Sequence, residues 1–387
     1  MKKSLLALAA LGVFAGAAHA QSSVTLYGII DAGFVYTNNA AGQKQYQMSS
    51  GNLQGSRWGL RGTEDLGGGL KAIFVLENGF NVFNGRLGQG GAEFGRQAYV
   101  GLGSTQFGTV TLGRQYDSVV DYTGAFEVGS QWASYFGAHP GDLDNLNNSN
   151  RVNNAVKYTS ANYAGFTFGG LYSLGGNAGQ FNRNQIWSVG AGYAQGPLQL
   201  GAGYLNVKDP NYSFFGNTPS SSTTASNMAA SRVYSGFASA KTQQVISAGG
   251  AYTFGAATVG ATYSNTQFKD VASEAGTGLN PAGYTGGSGK FHNAEINFKY
   301  QLTPALLLGV AYDYTKGYGL GDAKYHQAML GADYFLSKRT DVYLDGVYQH
   351  ASGTDSTGRS AVASINGLSP SSTTNQLAAV VGIRHKF

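Results

Sequence analysis

Polar and apolar side chains alternate with a period of two through most of this chain. From Phe291 to Leu302 the alternation is nearly unbroken. Asn293, Glu295, Asn297, Lys299 and Gln301 fall on one side, and Ala294, Ile296, Phe298, Tyr300 and Leu302 on the other. Successive side chains of a β-strand point to opposite faces, so this segment has one apolar face and one polar, charged face. That suits a wall between lipid and water, although the edge of a soluble sandwich can show the same period. Repetition decides between them. Strands are predicted at 23–36, 53–64, 69–80, 95–104, 107–115, 152–161, 165–174, 185–194, 197–207, 243–253, 257–268, 291–301, 305–316, 324–335, 340–351 and 377–387. Their connections alternate in length. Short turns fall at 64–69, 104–107, 161–165, 194–197, 254–256, 302–304 and 336–340. Long polar loops fall at 37–52, 81–94, 116–151, 175–184, 208–242, 269–290, 317–323 and 352–376. An even strand number with short turns on one side and long loops on the other is the signature of a transmembrane barrel, and it puts both termini on the short-turn, periplasmic side. The expectation is an all-β fold, a 16-stranded antiparallel transmembrane β-barrel. Barrels of about eight strands fill their interior with side chains, whereas about 16 to 18 leave an aqueous channel.

The outward faces agree with lipid contact. Val24, Leu26, Ile30 and Phe34 share one parity, as do Leu306, Leu308, Val310, Tyr312 and Tyr314. Aromatic residues gather near strand ends, as at Phe166, Phe168, Tyr252, Phe254, Tyr334 and Phe335, where an aromatic girdle meets the headgroups. High β-propensity alone could also place them there. Gly190, Gly192, Gly201 and Gly203 have inward parity and permit close backbone approach. Composition adds that 59 Gly, 25 Tyr and 21 Phe stand against 7 Pro and 12% charged residues, so one β domain is expected where length alone suggests two or three. There is no cysteine, hence no disulfide framework; a closed ring that pairs every backbone group is another way to hold a fold. The formal charge of +5 is mild and makes no case for nucleic acid. Outside the first 20 residues there is no apolar run long enough for a membrane helix. Within them, Lys2 and Lys3, the apolar run Leu5–Ala18 and the small residues of Ala18-His19-Ala20 have the form of a signal peptide. Residues 1–20 are therefore expected to be removed, leaving the barrel domain 21–387 with Gln21 first.

A diffusion pore has no reaction; its narrowest ring selects by size and its charges set ion preference. The stretch 116–151 is the candidate constriction, a long early loop with no helical or strand pattern of its own. It contains Asp117, Asp121, Glu127, Asp142 and Asp144, but no Lys or Arg before Arg151. Asp121 and Glu127 are the expected acidic side. On the wall, Arg57 and Arg61 share parity with Gly59 and Thr63, opposite Trp58 and Leu60; Arg151 shares parity with Asn153 and Lys157. A charge on the lipid face costs about 2–4 kcal/mol near the midplane, so these arginines point inward. Asp31, Lys71, Glu77 and Arg384 also have inward parity and are expected to tune the field more weakly. Arg114 shares the parity of Val110 and Leu112, which would turn it outward, and its role is left open. His139, His292, His326, His350 and His385 are scattered, with no metal-ligand spacing. No phosphate loop or G-x-S-x-G elbow occurs. No metal, no cofactor and no enzymatic activity are expected.

Several stretches carry a family resemblance: SSVTLYGIIDAGF (22–34), GSRWGLRGTEDLGGGLKAIFVLENGF (55–80), FGTVTLGRQYD (107–117) and VVGIRHKF (380–387). They are spread over most of the chain and resemble the general, non-specific porins of beta-proteobacteria. The resemblance implies a homotrimer in the outer membrane, passive diffusion of ions and small hydrophilic solutes, and a third extracellular loop folded into the barrel. It also implies that arginines of the second, fourth and sixth strand regions, here Arg57, Arg96 and Arg151, form the basic side of the constriction. The terminal aromatic Phe387 on an alternating last strand resembles the signal read by the outer-membrane assembly machinery. Outer-membrane lipid and lipopolysaccharide are the expected surroundings. With a basic wall, moderate anion selectivity is expected; a channel specific for a sugar or an organic anion is the alternative.

Overall fold

The computed structural model describes residues 23–213, 215, 216, 227, 228, 231–273 and 280–387; the expected signal peptide, 1–20, lies outside them. The first strand, β1 (Ser23–Ala40), is the seam of a closed ring. Along one side it pairs antiparallel with β17 (Asn375–Lys386), from Ile29 opposite Lys386 to Thr37 opposite Ala378. Along its other side it pairs first with β3 (Arg57–Gly67) and then, toward the long loops, with β2 (Gln43–Ser50). The ring continues through β4 (Leu70–Gly79), β5 (Gln97–Ser104), β6 (Gly108–Gln115), β7 (Val152–Thr159), β8 (Phe166–Ser173), β9 (Ile186–Gln195), β10 (Leu198–Lys208), β11 (Thr242–Phe254), β12 (Ala257–Lys269), β13 (Gly289–Thr303), β14 (Leu306–Gly319), β15 (Lys324–Phe335) and β16 (Thr340–Ser352). Each is antiparallel to the next. Because β2 and β3 lie end to end along β1, 17 segments occupy 16 positions. The fold is a closed 16-stranded antiparallel barrel.

The wall sorts its side chains as the period of two requires. Leu26, Ile30, Phe34, Val100, Leu112, Ile246, Ile296 and Leu330 stand exposed on the outside. Inside, Asp31, Ser188, Ser247, Thr262, Asn293, Asn297 and Gln327 are covered. A belt of apolar side chains around a polar interior is what a lipid-embedded wall needs, since lipid offers the backbone no hydrogen-bond partners and every strand must find them in its neighbours.

The first expected loop, 37–52, is not a loop. It is a hairpin: β1 runs on to Ala40, turns at Ala41 and Gly42, both with positive φ, and returns as β2. A two-residue turn with φ > 0 at both positions matches the twist of the strands it joins. Lys44, Tyr46 and Met48 of β2 face outward and Gln45 and Gln47 alternate with them, but Gln and Ser are weak strand formers and hide that period. Similarly, β14 extends to Gly319, so the loop expected at 317–323 shortens to four residues, 320–323. The break between β2 and β3 is held by Asp31. Its carboxylate accepts the N–H groups of Leu53 at 2.9 Å and Gln54 at 2.8 Å and the hydroxyl of Tyr343 at 2.6 Å.

The ring is sealed by its last residue. Gly28 N donates to Phe387 O and Phe387 N to Gly28 O, both at 3.0 Å, and the Phe387 ring covers Gly28 so closely that a Cβ there would lie 2.3 Å from Cζ. Gly28→Val should therefore cost about 1–3 kcal/mol through overpacking at the seam. Urea unfolding in detergent micelles should show a lower midpoint and a weaker heat-modifiable folded band; a wild-type midpoint would contradict this account of the seal.

Candidate functional site

The connection between β6 and β7 turns into the barrel. It begins with a one-turn helix, α1 (Ser118–Tyr122), which the sequence reading did not anticipate because five residues show no periodicity. Asp117 caps it, accepting the N–H groups of Val119 at 2.8 Å and Val120 at 3.2 Å. The helix lies on inward-facing glycines. A Cβ on Gly201 would stand 1.8 Å from the Tyr122 carbonyl oxygen, and one on Gly203 2.9 Å from Val119 Cα. Farther along, the Trp132 indole covers Gly309 and Gly331 of β14 and β15, where added Cβ atoms would meet it at 2.3 and 2.6 Å. No other residue type leaves the wall flat enough for a loop to rest there.

Hydrogen bonds then tie the loop to the wall. Ser118 N donates to Ser188 Oγ at 3.0 Å, Val128 N to Glu295 Oε1 at 3.0 Å, and Gln327 Nε2 to the Ala138 carbonyl at 3.0 Å. At the centre sits His139, fully buried. Its Nδ1 is 2.7 Å from Asp144 Oδ2, while Nε2 is 3.5 Å from Glu295 Oε2 and 3.9 Å from Asp313 Oδ1. Burial pushes the imidazole down, but Asp144, Asp313 and Glu127 outweigh it and hold His139 well above its ordinary value. Burial likewise raises Asp144, yet the His139 charge and hydrogen bond leave it below the usual carboxylate range.

Between the loop and the opposite wall a space of about 520 Å³ stays open. Arg57, Arg96 and Arg151 all line it, together with Tyr116 and the backbone-rich segment Gly51–Gly55. Glu77 lies among the arginines, accepting from Arg96 Nε at 2.7 Å, Tyr27 Oη at 3.0 Å and Tyr116 Oη at 3.3 Å. Arg151 donates to the Ser149 carbonyl at 3.1 Å, and its guanidinium lies 5.8 Å from the Tyr116 ring centre. Arg61 sits nearer the short-turn side, over the Tyr27 ring at 5.3 Å, and does not line the space.

The loop acids are arranged differently from the sequence expectation of a carboxylate side to this opening. None of them lines it. Asp121 forms an ion pair with Lys157 of β7. Glu127 is fully buried and turned into the loop itself, accepting from His139 N at 2.9 Å and Asn147 Nδ2 at 3.3 Å. Asp142 accepts the N–H groups of Asn147 and Ser149. Of the wall charges expected to act more weakly, Asp31 is consumed by the strand break. Arg384 is held by Asp341 at 2.9 Å and Asp333 at 3.4 Å. Lys71 is exposed near the short turns, in register with Asp65. Arg114 has the outward parity expected of it, opposite Ala98, at a bulge after Gly113. It knits the wall, donating from Nε to the Gly95 carbonyl at 2.8 Å and from Nη1 to Asn153. Sequence reasoning missed Lys157 as a loop partner, Tyr116, and the 51–55 segment. Lys157 could have been found by its inward parity; the other two carried no such signal.

A closed barrel of this size, apolar outside, polar inside and narrowed by an inserted loop, is a membrane channel. Comparison with known proteins agrees: the profile of the Gram-negative porins matches residues 7–354, and the chain belongs to that family. It is 34% identical to an outer membrane porin protein of Bordetella pertussis, over 90% of this chain and 94% of that one. It is 33% identical to outer membrane porin protein 32 of Delftia acidovorans over the full length of both. The solved anion-selective porin from Comamonas acidovorans superposes with a TM-score of 0.72 at 26% identity, covering 95% of this chain and all of the other. The protein is thus a multi-pass outer-membrane β-barrel, a passive channel rather than an enzyme.

The His139 cluster gives the loop a pH window. Stabilisation by a group whose folded pKa is raised is present below its unfolded value and lost as pH rises through the folded one; for a depressed carboxylate it is lost as pH falls. The His139–Asp144 contact should therefore hold while both groups are charged and loosen at both ends. Single-channel records should show open-channel noise growing at alkaline pH as His139 discharges and at strongly acidic pH as Asp144 protonates. In His139→Gln the alkaline rise should be absent and the neutral noise already high. A flat alkaline profile in the wild type would remove His139 from this role.

Proposed function

We propose that this porin is an anion-preferring diffusion channel, with 116–151 as its constriction loop and Arg57, Arg96 and Arg151 as its selective residues. The observation that carries this reading is the lining of the 520 Å³ opening, three guanidinium groups and no loop carboxylate. Even with Glu77 counted against them, the three arginines leave positive charge in excess. Low-dielectric walls focus the field of fixed charges into a narrow passage, so chloride and small organic anions are concentrated there while larger solutes are held back by the loop. Asp121 and Glu127, engaged with Lys157 and with the loop's own backbone, act as loop attachments in this reading rather than as an opposing acidic face. Arg61 lies away from the opening and contributes little. The anion selectivity attributed by name to the Comamonas acidovorans protein supports the same sign. Assembly as a homotrimer, export through residues 1–20 and recognition of Phe387 by the assembly machinery complete the proposal.

Bilayer reversal potentials under a KCl gradient test it. At about 6 Å in water each charge is worth roughly 0.7 kcal/mol to a passing ion, with opposite sign for chloride and potassium, so Arg57→Ser with Arg151→Ser should lower the chloride-to-potassium permeability ratio by up to about a hundredfold. Arg61→Ser should change it little. An unaltered ratio in the double variant, with normal conductance, would take these residues out of the constriction.

A further inference from the structure

Where β1 changes partner, the partner chain is longer than the gap it crosses. Pairing with β3 ends at Ile29 opposite Arg57, and pairing with β2 begins at Ala32 opposite Ser50. Two residues of β1, Ile30 and Asp31, therefore stand against six of the partner, 51–56, and the surplus chain bulges to the lumenal side. The bulge is tight: Gly51 has a φ of +76°, and a Cβ on it would lie 2.9 Å from Gly55 Cα. Residues 51–55 line the 520 Å³ opening, and so does Arg57, two residues farther on.

The anchors of the bulge converge on Asp31, which is fully buried. Its Oδ2 accepts the N–H groups of Leu53 at 2.9 Å and Gln54 at 2.8 Å, and its Oδ1 the Tyr343 hydroxyl at 2.6 Å. Its backbone carbonyl holds both ends, accepting from Gly51 N at 2.8 Å and Ser56 Oγ at 3.0 Å. From the bulge the hold passes to the loop 116–151. The Asn52 carbonyl accepts from Tyr135 N at 2.8 Å, and Asn366 Nδ2 donates to the Tyr135 carbonyl at 3.0 Å. On the other flank Gly55 abuts Arg96, whose Nη1 stands 3.0 Å from where a Cβ would be.

We infer that Asp31 is a positioning residue of the channel. By fixing 51–56 it sets the rim of the opening and the seat of the loop at Tyr135, and so the size of solute that passes. It acts as an acceptor rather than as a charge facing ions. A buried N–H left without an acceptor is costly, so without this side chain Leu53 and Gln54 would turn to lumenal water, and the rim would yield to solutes it now turns away. The inference rests on the reading of this opening as the constriction.

The mature protein folded into liposomes tests it. Swelling in a disaccharide relative to a pentose reads size exclusion, and the reversal potential under a KCl gradient reads charge. Asp31→Ala removes the acceptor, so the relative disaccharide rate should rise severalfold. Asp31→Glu keeps the charge but carries the oxygens one methylene farther, and should raise that rate too. Asp31→Asn loses the charge but keeps an oxygen for the two N–H groups, so it should exclude the disaccharide as the wild type does. A heat-modifiable folded band certifies each closed barrel, and Asp31→Glu carries the test if Asp31→Ala does not close. A side chain that only tunes the field would give the reverse pattern. Asp31→Asn and Asp31→Ala alike would shift the reversal potential toward chloride, with size exclusion unchanged in all three variants, and that result would overturn the inference. Arg57→Ser with Arg151→Ser runs beside them. A shifted reversal potential there, with unchanged exclusion in Asp31→Glu, would remove the positioning role alone; no change in either would overturn the reading of the opening and this inference with it.

Discussion

A strand in lipid has no water to which it can offer its N–H and C=O groups, and each unsatisfied group costs several kcal/mol. The rest of the molecule is arranged around that constraint. It requires the sheet to close, and β1 meets β17 to do so. The same requirement explains how a chain without cysteine is held together. The backbone ladder is continuous around the ring, and only the side chains remain free to differ between lipid and lumen. The one place where the ladder along β1 is interrupted, between β2 and β3, is where a carboxylate from the wall supplies acceptors for the N–H groups left over.

Closure makes a hollow, and the loop after β6 fills part of it. Its carboxylates are occupied in keeping it there. Asp117 caps α1, Asp121 pairs with Lys157, Glu127 and Asp142 bind backbone N–H groups, and Asp144 holds His139. Buried charges of this kind are tolerable only when paired and hydrogen-bonded. The arginines on the facing wall are less completely neutralised. The polarity of the opening thus follows from which charges the loop needs for its own attachment and which it leaves over.

Much of this was legible in the chain. Strand positions could be read because lipid on one side and water on the other impose a strict alternation, and Arg57 and Arg151 could be turned inward by parity alone. β2 escaped because only Tyr46 and Met48 mark the outward face of Gln43–Ser50, and the Gln and Ser residues around them hide the period. The orientation of Glu127 was not readable: it depends on His139 within the loop and on the Glu295 side chain from β13 that binds the adjoining Val128 N–H, contacts that exist only once the barrel has closed. Arg114 shows the limit of parity itself. Its outward direction followed from counting, but the bulge at Gly113 that gives it backbone and Asn153 partners left no mark in the pattern.

The seam between β1 and β17 also sets an order of events. These strands are the farthest apart along the chain, so their meeting carries the largest loop-closure entropy and belongs to the end of folding. Until Phe387 reaches Gly28, the polypeptide is a curved sheet with two bare edges, each able to pair with a stranger. A chain that lost even its final strand would keep every contact of the other fifteen positions and still be an open ribbon, exposed to aggregation in the aqueous space it must cross.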